Sequence, residues 1–370
     1  MTGWDERVAA RLDAIAAADQ LRSIRQLDGT GPRFTLADGR DVVSFASNDY
    51  LGLSQHPAVR AAAVDAIDRW GTGSGSARLI VGDRPPHREL EAEIAAWKGT
   101  EAALVLPTGF AANLAVLTTF ASHGVLVISD ALNHASIIDG CRLARSEVLV
   151  SAHADVGNVR ELLARHDGPC IVVTDTVFSM DGDIAPLPEL VEVCAERGAL
   201  LVLDEAHSVL GPELPPLPDE LTVLRVGTQS KTLGSLGGFI AGPQRYIDLV
   251  VNAARPFIFT TAPTPADTAA AAAAIRVLRS PEGAALVDRL RRHVARIAPG
   301  HPSPIVPVIL GDEALAISAS AQLLDDHGLL VPAIRPPTVA PGTSRLRIAL
   351  SAAHDDDDIE RLHKALESLT

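Results

Sequence analysis

Apolar runs of strand length, each closed by polar residues and followed by a helical stretch, constrain this chain's fold more than any other feature. ALVLP (103–107), VLVIS (125–129), IVVTD (171–175), LLVLD (200–204) and TVLRV (222–226) are the clearest. Most lack strict alternation, as expected of strands buried on both faces. Helical stretches lie between them at 111–120, 135–145, 156–165 and 187–197. This βαβα order predicts an α/β fold with a mostly parallel central sheet flanked by helices. In such sheets ligands bind beyond the carboxyl ends of the strands, so the polar residues closing each run are the first candidates for a site.

The flanks read differently. Residues 5–25, with Val8, Leu12, Ile15 and Leu21 at loosely helical spacing, predict an amphipathic helix. Beyond about 265 an Ala-rich helix leads into the Pro-rich HPSPIVPVIL, then a helix near 313–327, an extended RLRIALS and a last helix over 355–368. The expected division is an N-terminal helical arm (1–50), a large α/β domain (51–268) and a smaller α+β domain (269–370).

Composition removes several classes. With 32 Lys+Arg against 46 Asp+Glu, the net charge of −14 disfavours nonspecific binding to nucleic acid or anionic lipid. Cys141, Cys170 and Cys194 are widely spaced and include no CxxC pair, so neither a disulfide scaffold nor a metal site is expected. The N-terminus offers no uninterrupted signal-peptide core, and no stretch has the length and apolarity of a membrane span. A cytoplasmic enzyme is the expectation.

Two motifs mislead. DEAH (204–207) suggests a nucleotide-driven helicase, but that requires a GxxxxGK[ST] loop; GTGSGSAR (71–78) has no lysine, and SKT (230–232) lacks the preceding glycine. DDDD (355–358) suggests calcium, yet four acids suit a helix N-terminus. The strand ends are more informative together. LLVLD ends in Asp204 with His207 three residues on, and TVLRV runs into GTQSKTLG with Thr228, Ser230 and Lys231. An acid and a lysine there could form a simple ion pair. They are also the parts that a pyridoxal 5′-phosphate (PLP) site requires: an amine for a Schiff base and an acid for the pyridine nitrogen. PTGFAAN (107–113), a strand end followed by a helix start, suits the phosphate.

From about residue 5 to its end the chain resembles the α-oxoamine synthases, fold-type-I PLP-dependent enzymes that condense an amino acid with an acyl thioester and release carbon dioxide. The resemblance is carried by SNDYLGLS (47–54), GTGSGSARLIVG (71–82), SDALNHASIIDG (129–140), DTVFSMDGDIAPL (175–187), LLVLDEAH and GTQSKTLG. Within the family, AIRPPTVAPGTSRLRIALSAAH (333–354) is most similar to the members that join L-alanine to a pimeloyl thioester in biotin biosynthesis. The competing readings are a glycine C-acetyltransferase, joining glycine to an acetyl thioester, and a non-catalytic PLP-binding regulator; the latter usually carries a DNA-binding domain for which this chain has no spare length.

The resemblance implies roles for named residues. Lys231 would hold the cofactor and later take the alanine Cα proton, Asp204 would pair with the pyridine nitrogen, and His207, with Ser179 near it, would bond the phenolic oxygen. His134 would stack on the ring and assist proton transfers. Gly109, Phe110 and Thr228 would bind the phosphate, with Thr261 reaching the phosphate of a neighbouring subunit in a homodimer. Arg347 would clamp the amino-acid carboxylate, helped by Asn48, while Arg345, two residues away on the strand, is expected to face the opposite side. Arg22 and Thr338 would line the entrance for the acyl group, carried on coenzyme A or an acyl carrier protein. No role falls to Arg78. The Pro-rich stretch after His207 is shorter than the family's, and the RLRRHVAR run (289–296) reads as a solvated helix face or a landing patch for an acidic carrier.

Overall fold

A computed structural model describes residues 3–18 and 20–369. In chain order the first elements are α1 (Gly3–Ala17), β1 (Leu27–Thr30), β2 (Arg33–Leu36), β3 (Asp41–Ser44), α2 (Pro57–Trp70) and α3 (Pro85–Lys98). The alternating region follows: β4 (Ala102–Leu106), α4 (Gly109–Phe120), β5 (Leu126–Asp130), α5 (Ala135–Leu143), β6 (Glu147–Ser151), α6 (Val156–Leu163), β7 (Cys170–Asp175), α7 (Leu187–Arg197), β8 (Leu200–Asp204), β9 (Val223–Thr228) and β10 (Gly238–Gly242). The chain ends with α8 (Gln244–Ala253), α9 (Arg255–Ile258), α10 (Pro265–Leu278), α11 (Pro281–Ile297), β11 (Ile305–Gly311), α12 (Glu313–His327), β12 (Leu329–Leu330), β13 (Ala333–Ile334), β14 (Ser344–Ala349) and α13 (Asp356–Glu367).

The five expected strands form, within a seven-stranded sheet of order β4-β10-β9-β8-β7-β5-β6. Pairing is parallel from β9 through β6, and only β10 runs against its neighbours. Strands β4, β5 and β7 are buried at every position, which explains their near-continuous apolar runs. Burial also pushes the Cys141 thiol up to about 11 and that of Cys194 to about 12, and all three cysteines are free. Among the described residues, no helix is long and apolar enough to cross a membrane and no cluster of side chains could hold a metal ion.

The N-terminal segment departs from expectation. Helix α1 stops at Ala17 and buries none of its residues, so the predicted helix over 5–25 is too long. Nor is 1–50 a helical arm: 27–44 forms three strands, and β3 pairs in parallel with β12 from the C-terminal part. Four-residue strands rich in polar residues carry no pattern of their own; the C-terminal part templates them. The two parts share one core, because α10 buries its alanines (Ala271 and Ala274 are fully enclosed) against α2 and α3. Small side chains let three helices approach closely there.

The DDDD run caps α13. Asp355 accepts from the Asp358 N–H, and Arg33 of β2 bonds both carboxylates. Arg78 proves structural. It is buried, donates to Glu91 at 2.9 and 3.2 Å and to Asp83, while Glu91 also accepts from the Val105 N–H at 3.0 Å. This pair welds α3 to the edge strand β4. Arg78→Met strands a buried carboxylate and should cost about 3–5 kcal/mol, read as a lowered urea midpoint at unchanged slope.

Candidate active site

Strands β7 and β8 run in register, so their last residues, Asp175 and Asp204, stand side by side at the carboxyl edge of the sheet. Both are buried. Asp204 Oδ2 accepts from Asn113 Nδ2 of α4 at 2.6 Å, and Oδ1 from the Ala206 N–H at 2.9 Å. Asp175 Oδ2 accepts from the His134 N–H at 2.7 Å, which fixes the start of α5. His134 caps that helix: its Nδ1 accepts from the Ser136 N–H, so a neutral ring carries its proton on Nε2.

Lys231 sits in the loop joining antiparallel β9 and β10. Thr228 and Gly238 face each other where the loop leaves the ladder, and Thr228 Oγ1 donates to the Gly237 carbonyl at 2.8 Å. A cavity of about 230 Å³ opens between this loop and the ends of β7 and β8. Of the residues expected at the site, Gly109, Phe110, His134, Asp204, His207, Thr228 and Lys231 line it. Thr108, Ser136, Asp175 and Ser230 line it too and were given no role from sequence. Asp175 closes the run IVVTD as Asp204 closes LLVLD, so the strand-end rule itself marks it. Glu205 points to the other face, paired with Lys98 at 2.7 Å and Arg225 at 2.6 Å. The acids of DEAH therefore belong to two different clusters.

Burial governs the charges. It lowers the Lys231 ammonium's pKa; Arg347 adds to the effect, and Asp204 and Asp175 only partly offset it. Burial, with the charges of Lys231 and Arg347, holds His207 well below its ordinary value, so this ring is neutral. Asp175 lies well above the usual carboxylate range, through burial first and the neighbouring Asp204 second.

A second set of residues reaches the cavity through a chain of contacts. Arg347 Nη2 donates to Asn48 Oδ1 at 3.1 Å; the Tyr50 hydroxyl lies 3.1 Å from the same oxygen and 2.6 Å from His207 Nδ1. Tyr50, which the sequence gives no role, is fully buried, and its hydroxyl is the link. Proton positions are coupled along it: a Tyr50 proton given to Asn48 requires Nδ1–H on His207, and one given to His207 requires Nε2–H. Ser179 does not line the cavity; its carbonyl accepts from Arg347 Nε at 2.6 Å.

The expectation that Arg345 faces away from Arg347 is wrong. Residues two apart on a strand share a face, and Arg345 pairs with Asp181, two residues beyond the Ser179 that holds Arg347. Arg22, Thr338 and Thr261 are exposed and outside the cavity lining. Leu21, beside Arg22, accepts through its carbonyl from Arg335 at 3.0 Å, and Thr338 donates its N–H to the Arg335 carbonyl, so these two share one neighbourhood. The Pro-rich segment after His207 borders a different cavity, of about 480 Å³, with Lys98 and Glu205.

Asp175→Asn keeps an acceptor for the His134 N–H and removes the charge. A carboxyl whose folded pKa is raised loses stability as pH climbs from its ordinary 3.8 towards the folded value, at up to about 1.4 kcal/mol per pH unit. In the cofactor-free protein the variant should therefore be the more stable at pH 7, and its advantage should shrink as pH falls towards 3.8. Denaturant midpoints across that range test this.

A family model described as aminotransferase class I and II matches residues 40–366. The 8-amino-7-oxononanoate synthase of Anaeromyxobacter dehalogenans is 46% identical, over 98% of this chain and 95% of that protein. A serine palmitoyltransferase variant from S. paucimobilis, solved with PLP and myriocin bound, superposes with a TM-score of 0.90 at 31% identity, covering 99% of this chain and 97% of that one. The 8-amino-7-oxononanoate synthase of Francisella tularensis superposes at 0.74 with 25% identity, covering 89% and 96%. The chain belongs to the 8-amino-7-oxononanoate synthase family, PLP-dependent acyltransferases within aminotransferase class I and II.

Proposed function

We propose that this protein joins L-alanine to a pimeloyl thioester, with loss of carbon dioxide and thiol, as a cytoplasmic homodimer. The observation that carries the reading is the convergence of Lys231, Asp204, His207 and Thr228 on one cavity at the carboxyl edge of the sheet. The residues fit PLP. The first N–H groups of α4, at Gly109 and Phe110, have no intrahelical acceptor and suit a phosphate, with the Thr228 hydroxyl beside them. A Cβ on Gly109 would come within 3.1 Å of the Thr228 Cβ, so glycine keeps this cradle open. When bound, PLP supplies a carbonyl carbon for amines and a ring that takes up the electron pair from the substrate Cα.

The protein's own residues do the rest. Burial raises the unprotonated fraction of the Lys231 amine, which both attaches the cofactor and accepts the Cα proton at Nζ. Asp204, held by two donors, remains an acceptor for a proton at the ring nitrogen. Neutral His207 would bond the phenolic oxygen, and the Ser179 carbonyl holds Arg347. His134 Nε2–H is a donor for the ketone that forms. Arg347, with two edges tied to Ser179 and Asn48, retains three N–H groups for the alanine carboxylate, a planar fork matched to a planar anion. Arg22 and Thr338, exposed together, form the thioester entrance, and the exposed arginines of α11 (Arg289, Arg291, Arg292) are the landing surface if the acyl group arrives on an acidic carrier protein.

A partner subunit explains Thr261. It lies in the open, beside Ala262 whose N–H donates to the Ser76 carbonyl; Phe259, two residues before it, is 71% exposed, and Ile80, four residues after Ser76, is 74% exposed. Apolar exposure of this kind marks a contact surface, and a second copy placed there would bring Thr261 to its phosphate. Sedimentation equilibrium should give a dimer mass; a monomer would overturn the shared site.

The activity is tested by offering purified protein L-alanine with pimeloyl thioester and, separately, glycine with acetyl-CoA. Faster thiol release from the second pair would overturn the substrate assignment. Lys231→Ala should abolish the alanine-dependent change in the visible spectrum and lower turnover about 10²–10⁴-fold; a yellow, fully active variant would refute the role of Lys231.

A further inference from the structure

Beyond the end of β6, His153 stands half-buried between two carboxylates. Its Nδ1 lies 3.0 Å from Asp130 Oδ1 at the end of β5, and its Nε2 lies 2.7 Å from Asp183 Oδ2 in the turn that follows β7. Ionised carboxylates only accept, and a neutral imidazole has one N–H to give, so both contacts are satisfied together by the doubly protonated ring. Partial burial works against that charge, but the hydrogen bonds to Asp130 and Asp183 outweigh it and raise the His153 pKa. The edge of the Phe178 ring packs against the imidazole at 4.4 Å.

The turn that His153 grips is the one that holds the two arginines. Across Ser179–Asp183, the Ser179 carbonyl takes Arg347 Nε, Asp181 takes Arg345, and Asp183 takes His153. Gly182, at φ +70°, closes the turn where any Cβ would collide with the Ile305 carbonyl and the Ser303 hydroxyl. The turn is thus wedged between the central sheet and β11–β14: backbone bonds close it, from the Phe178 N–H to the Asp183 carbonyl and from the Ala185 N–H to the Thr176 carbonyl, His153 adds the side-chain tie to the first, and the arginines tie it to the second.

We infer that His153 is a positioning residue for amino-acid binding: by clasping Asp183 it fixes the Ser179 carbonyl, and that carbonyl aims the Arg347 guanidinium. The inference rests on the reading of Arg347 as the carboxylate clamp. His153 touches no reacting atom, so loosening the clasp should weaken capture of the amino acid and leave the thioester side unaffected.

Steady-state kinetics of the holoenzyme test this with His153→Ala, Asp183→Ala and the double variant, and with Arg347→Lys as reference. Each single variant loses the bond between His153 and Asp183 and should raise KM for L-alanine about tenfold, with KM for the thioester unchanged; His153→Ala, which also gives up the bond to buried Asp130, should lower the melting temperature more than Asp183→Ala does. The double variant should be no worse than either single one, because the two residues act as a unit. If Arg347→Lys raises the alanine KM while both clasp variants stay within about twofold of wild type, the clasp is overturned and the Arg347 reading stands. If Arg347→Lys leaves the alanine KM unchanged, that reading falls and the inference with it. Parallel increases in both KM values together with a lower melting temperature would reduce His153 to a scaffold residue and overturn the proposal.

Discussion

Two carboxylates side by side inside a protein repel each other, and here that repulsion organises everything around it. Asp175 and Asp204 are neighbours because parallel strands in register end on one line. Each is then tied to a different helix: Asp204 to α4 through Asn113, Asp175 to α5 through the His134 N–H. Lys231 from the next hairpin brings the compensating positive charge. Helix positions, cavity walls and the basicity of the lysine thus meet in one arrangement.

The charge map follows the same economy of placement. A chain of net charge −14 keeps its pocket cations out of general circulation. Arg345 and Arg347 are both buried, bonded to a turn rather than to solvent, and the Arg225–Glu205–Lys98 cluster sits on the opposite face of the sheet. The surface repels polyanions while the cavity edge retains local positive groups and helix N-termini for small ones.

What could be read from the residues divides along physical lines. Five of the seven strands of the central sheet are legible because full burial demands apolar runs, and the centre is legible because such strands end where ligands bind; β6 is largely uncovered, and β10, with a glycine at each end, has only three residues of apolar run. Asp175 obeys the same rule and needed only its consistent use. Tyr50 gives no such signal: nothing in the residues around it says where an aromatic hydroxyl will end, and here it stands between His207 and Asn48. Strands β1–β3 were illegible for another reason, since four-residue segments such as LDGT have no apolar periodicity and exist through pairing with one another and with β12. The shared face of Arg345 and Arg347 follows from strand geometry alone, against the expectation that they part. Thr261 and Arg22 carry no signal of position within one chain, because their surroundings lie on its outer surface.

The hairpin that carries Lys231 has one more consequence. A residue placed by a crossover shifts whenever that crossover changes length. Lys231 instead hangs on a bridge whose two abutments, Thr228 and Gly238, stand opposite each other in the ladder, locked by bonds from the Gln229 N–H and the Thr228 hydroxyl to the Gly237 carbonyl. The Pro-rich stretch after His207 borders a separate cavity and meets the centre at its immediate neighbours, Thr232 beside Lys231 and Glu205 beside Asp204. The ladder therefore sets where the amine stands, and a change in that stretch reaches it through one residue on each side.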